Sequence, residues 1–186
     1  MVLEIKQYGD PVLRKKCRRI TEVTEEIREL SENMIETMID ANGVGLAAPQ
    51  VGIDLRLAVV DVAHDPESIT YLKVDGKVAE LEEVMPLVFI NPELEFGKEK
   101  ELGREGCLSI QGVLSEVKRP IDVIATLELL DGRVIKLETD GLLARAIQHE
   151  VDHLNGVLFT DRVPPATKLS LKRRLKRLQE ENLMGD

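Results

Sequence analysis

The chain has 186 residues, of which 43% are hydrophobic and 32% charged, and a net charge of −9. That is enough for one compact domain with a real core, in an ordinary soluble globular balance, and the acidic excess argues against broad affinity for nucleic acid. No apolar run approaches the roughly 20 residues of a membrane span, Met1 to Lys6 lacks the apolar core of a secretory signal, and Cys17 and Cys107 make no disulfide framework, so a reducing cytoplasm is expected.

In chain order, residues 24 to 41 read as an amphipathic helix. Thr24 is the expected N-cap, Glu25 and Glu26 sit in the first turn, and Ile27, Leu30, Met34, Ile35, Met38 and Ile39 form the apolar stripe. Asn42-Gly43 ends it. A small-residue loop, Gly43 to Gln50, follows, and Leu57 to Val60 reads as a buried strand. Residues 62 to 86 are more polar and are expected at the periphery, with Asp75-Gly76 turning a hairpin. Leu87 to Ile90 is a further strand, which Asn91-Pro92 is expected to stop. Residues 121 to 130 and 133 to 139 flank Asp131-Gly132 as another hairpin. Asp140 is the expected cap of a helix over residues 141 to 154, closed by Asn155-Gly156. After Val163-Pro164-Pro165, Thr167 is expected to cap a final helix to about residue 183, with Leu169, Leu171, Leu175, Leu178 and Leu183 available to pack. The fold class is α+β: short antiparallel strands and hairpins around one buried helix, with a helix near each end. The final helix carries Lys168, Lys172, Arg173, Arg174, Lys176 and Arg177. This cluster reads either as a solvated face or as a contact for an acidic surface such as ribosomal RNA.

The most informative stretch is residues 148 to 156, QHEVDHLNG. His149 and His153 are four apart, so a helix projects both imidazoles from one face, where they can grip one metal ion. On a helical wheel both fall within about 60° of Leu142 and Ala146, an apolar stripe, and buried histidines there need ligation or pairing. Glu150 between them stands where a general base is needed. Two imidazoles leave a metal under-coordinated. Cys107, preceded by the close-approach residue Gly106, is the best third ligand, although a free cysteine is also a good buried hydrophobe. Cys17, among Lys15, Lys16, Arg18 and Arg19, takes no ligand role, and His64 reads as an exposed turn residue.

Three segments together, GVGLAAPQ (43–50), EGCLS (105–109) and QHEVDHL (148–154), resemble the three signature motifs of the peptide deformylases, in that family's order and with similar spacing. Gly9 to Arg14 also resembles that family, and the likeness runs from about residue 3 to 165. It implies a single catalytic domain over residues 1 to 186, with its core at 3 to 165 and a basic C-terminal helix at 167 to 183. Cys107, His149 and His153 match the family's metal ligands, and Glu150 its acid/base. Gln50 matches the side chain that binds the formyl oxygen, with the backbone N–H of Leu108 as companion. Gly45 and Gly106 match positions that hold the peptide extended, and Val44 and Leu142 match the lining of the methionine pocket. Some positions depart from common forms: Gln111 stands where many members have proline, Arg145 where some are apolar, and residues 62 to 86 are longer than in compact members.

The resemblance implies hydrolysis of N-formylmethionyl nascent peptides to formate and a free amine. Glu150 would move the proton from water to the leaving amine, and Gln50 and Leu108 would stabilise the oxyanion. It also implies Fe(II) in the cell, with zinc, nickel or cobalt as substitutes, a monomer, no membrane association, and ribosome contact through the final helix. Two rival readings stand beside it: a zinc endopeptidase sharing the His-Glu-x-x-His pattern, and a non-catalytic, metal-stabilised module that docks on the ribosome.

Overall fold

A computed structural model describes residues 1–184. Its frame is a seven-stranded antiparallel sheet in the order β1-β2-β5-β8-β9-β3-β4. The strands are β1 (Gly45–Ala47), β2 (Leu57–Val60), β3 (Leu72–Val74), β4 (Lys77–Val78), β5 (Leu87–Phe96), β8 (Val123–Glu128) and β9 (Val134–Thr139). A separate two-stranded sheet pairs β6 (Lys100–Cys107) with β7 (Ile110–Pro120). The helices are α1 (Glu25–Asp40), α2 (Leu81–Val84), α3 (Gly141–Leu154) and α4 (Pro165–Met184).

The uninterrupted apolar run of β2 follows from its position, since all four of its residues are buried. Leu57 and Val59 join Ile27, Met34 and Met38 of α1 in one core cluster, with Leu46 and Ile90. Ala58 and Val60 face the other way and pack with Phe89, Val123, Ala125 and Leu137 against Leu143, Ala144 and Ile147 of α3. Side chains of a strand alternate between faces, so a strand covered by helices on both sides must be apolar at every position. A third cluster joins Ile110, Val113 and Val117 of β7 to Leu13, Leu158, Phe159, Val163 and Leu175.

The expected α+β class holds, as do both Asp-Gly hairpins, with Asp75 and Gly76 at positive φ (52° and 79°). Several local expectations fail. Asn91-Pro92 does not stop β5. The strand takes an irregularity between Ile90 and Glu93, with Asn91 at φ 48° and its side chain bonded to both backbone groups of Ile20. A bulge tolerates proline because no ladder donor is needed there. Asp140 precedes α3 but makes no capping bond; its carboxylate instead accepts from the Thr70 amide and hydroxyl. Thr24 likewise sits at the N-cap of α1 without a capping bond. The final helix starts at Pro165, a good first helical residue, which leaves Thr167 inside it. Of its leucines, Leu175 is buried and Leu171 and Leu178 pack partly, while Leu169 and Leu183 are exposed, as is Ile39 of α1. Residues 62 to 86 are not wholly peripheral, for Val62, Leu72 and Leu81 join the core against α3. No helix among the described residues is long and apolar enough to cross a membrane.

Candidate metal centre and catalytic cleft

Helix α3 is buried nearly all round, including Gln148, Glu150, Asp152 and His153. Arg145, Gln148 and Asp152, which share a polar side of the helix, therefore face an internal surface, and their groups must be satisfied inside the protein. Gln148 Nε2 donates to the carbonyls of Pro120 and Ala144 (3.0 and 3.1 Å). Asp152 accepts from Arg119 Nη1 (2.9 Å) and from Arg162 Nε and Nη2 (2.6 and 2.7 Å).

His149 and His153 emerge side by side, with ring centroids 5.0 Å apart. Cys107, at the end of β6, faces them. One ligand atom from each of Cys107, His149 and His153 lies within 4.8 Å of the others, a grouping that could hold a metal ion. The Cys107 Sγ is 3.3 Å from His153 Nε2. Two observations favour a cation here. Among the described residues, Glu150 Oε2 is buried beside the cluster without any hydrogen-bond partner. The donors are one sulfur and two imidazoles, a set suited to zinc, iron, cobalt or nickel. Burial, then the charge of His149, pushes His153 well below the ordinary imidazole value.

Glu105 orients His149. Its Oε1 lies 3.0 Å from His149 Nδ1, turning Nε2 toward the sulfur side. The same carboxylate accepts from Arg119 Nε and Nη2 (2.7 and 2.9 Å) and from Arg145 Nη1 (2.7 Å). Burial alone would raise Glu105, but the hydrogen bonds from His149 and Arg119 outweigh it and hold the carboxyl down at about 2. Arg119 thus bridges two buried acids, Glu105 and Asp152. Sequence reasoning missed Glu105, Arg119 and Asp152 as a unit, because charged residues in strands of mixed polarity look like a solvated face. The one clue was Asp152, standing in the same helix as the two histidines.

The cluster opens onto a cavity of about 330 Å³ lined by Val44, Gly45, Gln50, Gly106, Leu108 and Leu142, with Cys107, His149 and Glu150 at its base. The sequence-predicted residues are therefore brought together, with His153 one layer behind. Burial pushes the Glu150 carboxyl up to about 7, against the opposing charge of His149. A Cβ at position 45 would overlap the Glu150 carboxylate, so any side chain there would displace it. Gln50 is fixed at both ends: its Oε1 accepts from the Ala47 amide (2.9 Å), and Nε2 donates to Ser109 Oγ (3.2 Å) and toward Cys107 Sγ (3.5 Å). Ser109, fully buried, was not anticipated. Leu108 occupies the turn between β6 and β7. Gln111 is exposed beyond that turn, and His64 is exposed far along the chain. Cys17 is buried in the core beside α3, outside the ligand cluster. Asp161, the next carboxylate after His153 and the ligand an endopeptidase reading would need, is paired with Arg14 (2.5 and 3.2 Å).

Residues 2–169 match the family described as polypeptide deformylase. Peptide deformylase 2 of Gloeobacter violaceus is 45% identical over 162 residues, covering 87% of this chain and 79% of that protein. The peptide deformylase of Endomicrobium trichonymphae is 42% identical over 175 residues, 94% of each. Among solved structures, the peptide deformylase of Thermus thermophilus superposes with a TM-score of 0.80 at 37% identity, over 97% of this chain and 99% of that one. The Synechococcus elongatus enzyme, solved in complex with actinonin, gives 0.78 at 41% identity, over 95% and 85%. Agreement of sequence and backbone along nearly the whole length means that the chain belongs to the polypeptide deformylase family, metal-dependent hydrolases that take the formyl group off newly made peptides.

Proposed function

We propose that this protein deformylates N-formylmethionyl nascent peptides at the cavity described, with Cys107, His149 and His153 as metal ligands and Glu150 as the proton carrier. A bound divalent ion, Fe(II) in the cell with zinc, nickel or cobalt as substitutes, supplies electrophilic activation of water and of the formyl oxygen. The observation that carries the reading is the buried Glu150 carboxylate oxygen, without a partner among the described residues, beside the cysteine–histidine cluster. A buried carboxyl beside the ligand cluster can take a proton from the attacking water and return it to the leaving amine. The water oxygen joins the formyl carbon, the C–N bond breaks, and formate and a free amino terminus leave. Gln50 Nε2 and the Leu108 amide are the donors for the oxyanion.

Gly45 lies in β1, the last strand on one edge of the large sheet, and Gly106 in β6, which among the described residues pairs only with β7. Two such strands flanking the cavity suit an extended peptide bound by backbone hydrogen bonds. Val44 and Leu142 supply the apolar wall for the methionine side chain. The domain is a single catalytic unit, monomeric and cytoplasmic. Its exposed basic face on α4 (Lys168, Lys172, Arg173, Arg174, Lys176 and Arg177) is the ribosome-contacting surface.

The test is Glu150→Gln, assayed by formate release from formyl-Met-Ala-Ser and by metal analysis of the same sample. Metal content is expected to stay at one per chain while kcat falls at least about a hundredfold. Full activity in the variant would remove Glu150 from the mechanism.

A further inference from the structure

Arg145, in the second turn of α3, does not behave as an ordinary pocket residue. Its side chain is 12% exposed and lines the cavity together with Val44, Leu142 and Ala146. It reaches across to the β6–β7 hairpin, where the bare backbone of Gly103 makes room for it; a Cβ at Gly103 would lie 2.5 Å from the guanidinium carbon. Nη1 donates to Glu105 Oε2 (2.7 Å) and to the Val117 carbonyl (2.9 Å), and Nη2 to the Glu101 carbonyl (3.3 Å). A guanidinium has five N–H groups. Among the described residues these three bonds leave Nε–H and one Nη2–H uncommitted, on a cation held in place by Glu105.

A methionine thioether is a weak acceptor and gains little from such donors. Methionine sulfoxide differs, because oxidation turns the side chain polar and gives it a strongly accepting oxygen. An apolar pocket rejects that oxygen, since burying it without a partner is costly. A pocket with a fixed cationic donor at one wall compensates the cost. We propose that Arg145 sets the side-chain specificity of this site, so that N-formyl-methionine sulfoxide peptides are substrates alongside N-formylmethionyl peptides. The inference rests on reading this cavity as the formyl-peptide site. The bond chemistry is unchanged: water adds to the formyl carbon, the C–N bond breaks, formate leaves, and the sulfoxide is neither reduced nor oxidised.

The experiment is a competition among formyl-Met-Ala-Ser, its sulfoxide counterpart and the norleucine analogue, which accepts no hydrogen bond. Metal-loaded enzyme is used and products are resolved by mass spectrometry. Peptides competing for the same sites report a ratio of kcat/KM values that does not depend on the fraction of enzyme folded. In the wild type the sulfoxide-to-norleucine ratio is expected at one-tenth or above, for at least one sulfoxide epimer. Arg145→Met should lower that ratio by about tenfold, as loss of a charge-assisted hydrogen bond does. Arg145→Lys, which keeps the charge and loses the fork, should lower it less. A wild-type ratio below one-tenth, or the same ratio in Arg145→Met, overturns the role of Arg145 while leaving deformylation of formyl-Met-Ala-Ser intact. Absence of formate release from formyl-Met-Ala-Ser would instead overturn the underlying reading, and this inference with it.

Discussion

Replacing Arg119 with methionine removes one cation from between two buried acids and keeps the volume nearly constant. The Arg119 side chain is 3% exposed, and those of Glu105 and Asp152 are 5% and 10% exposed. Breaking a buried pair by deleting one partner typically costs about 3–5 kcal/mol, because the remaining charge is left uncompensated. Here each acid keeps a second cation, Arg145 on Glu105 and Arg162 on Asp152, which places the cost at the lower end, about 3 kcal/mol. For a domain of this size that is a fall in Tm of about 6–12 °C. The assay is scanning calorimetry of metal-stripped protein. The deficit should also depend on pH. Glu105 is held at about 2 against an ordinary 4.5, so its contribution is complete above 4.5 and disappears as pH falls toward 2. With Arg119 gone, Glu105 titrates nearer its ordinary value, and the difference between variant and wild type should narrow as pH falls through that window. Metal affinity should weaken by about tenfold, since Glu105 orients His149 less firmly. A Tm change under about 2 °C at pH 7, worth less than ~1 kcal/mol, would refute the view that Arg119 holds the two acids together.

Two further outcomes follow from the same geometry. Gln50→Ala should lower kcat by about a hundredfold or more while metal content is unchanged, as expected for loss of one oxyanion donor; a change confined to KM would mean that Gln50 only binds the peptide. Alkylation at pH 8 should separate the two cysteines by mass spectrometry: Cys17, buried and pushed up to about 11, should resist modification in the native state, whereas Cys107 should react in stripped protein and be protected by metal. Equal labelling of the two would contradict the burial of Cys17.

The helix that carries the histidines was legible because its signals are local. The i, i+4 spacing, the apolar stripe and the Asn155-Gly156 stop all lie within a few turns of one another. Cys107 and Gln50 were legible through motif likeness. Strands β6 and β7 were not, because their residues alternate poorly and many are charged and exposed, so no half-buried period appears. Asp140 and Asn91 carry ordinary capping and turn chemistry, but tertiary partners claimed their side chains: Thr70 for one, Ile20 for the other. The network of Glu105, Arg119 and Asp152 assembles positions 14 and 33 residues apart. No local pattern in the sequence links them.

Among the described residues the β6–β7 hairpin pairs with no strand of the main sheet, yet it brings Cys107, while both histidines come from the helix packed on that sheet. A metal held by all three would act as a rivet across the seam between hairpin and helix, added to the hydrogen bonds of Arg145, Gln148 and Arg119 that already cross it. Oxidation of the sulfur would then be a mechanical event as well as a chemical one. The seam would slacken, the hairpin would exchange its amide protons faster than the sheet beside it, and a spent molecule would present a protease with an opening that a working one keeps shut.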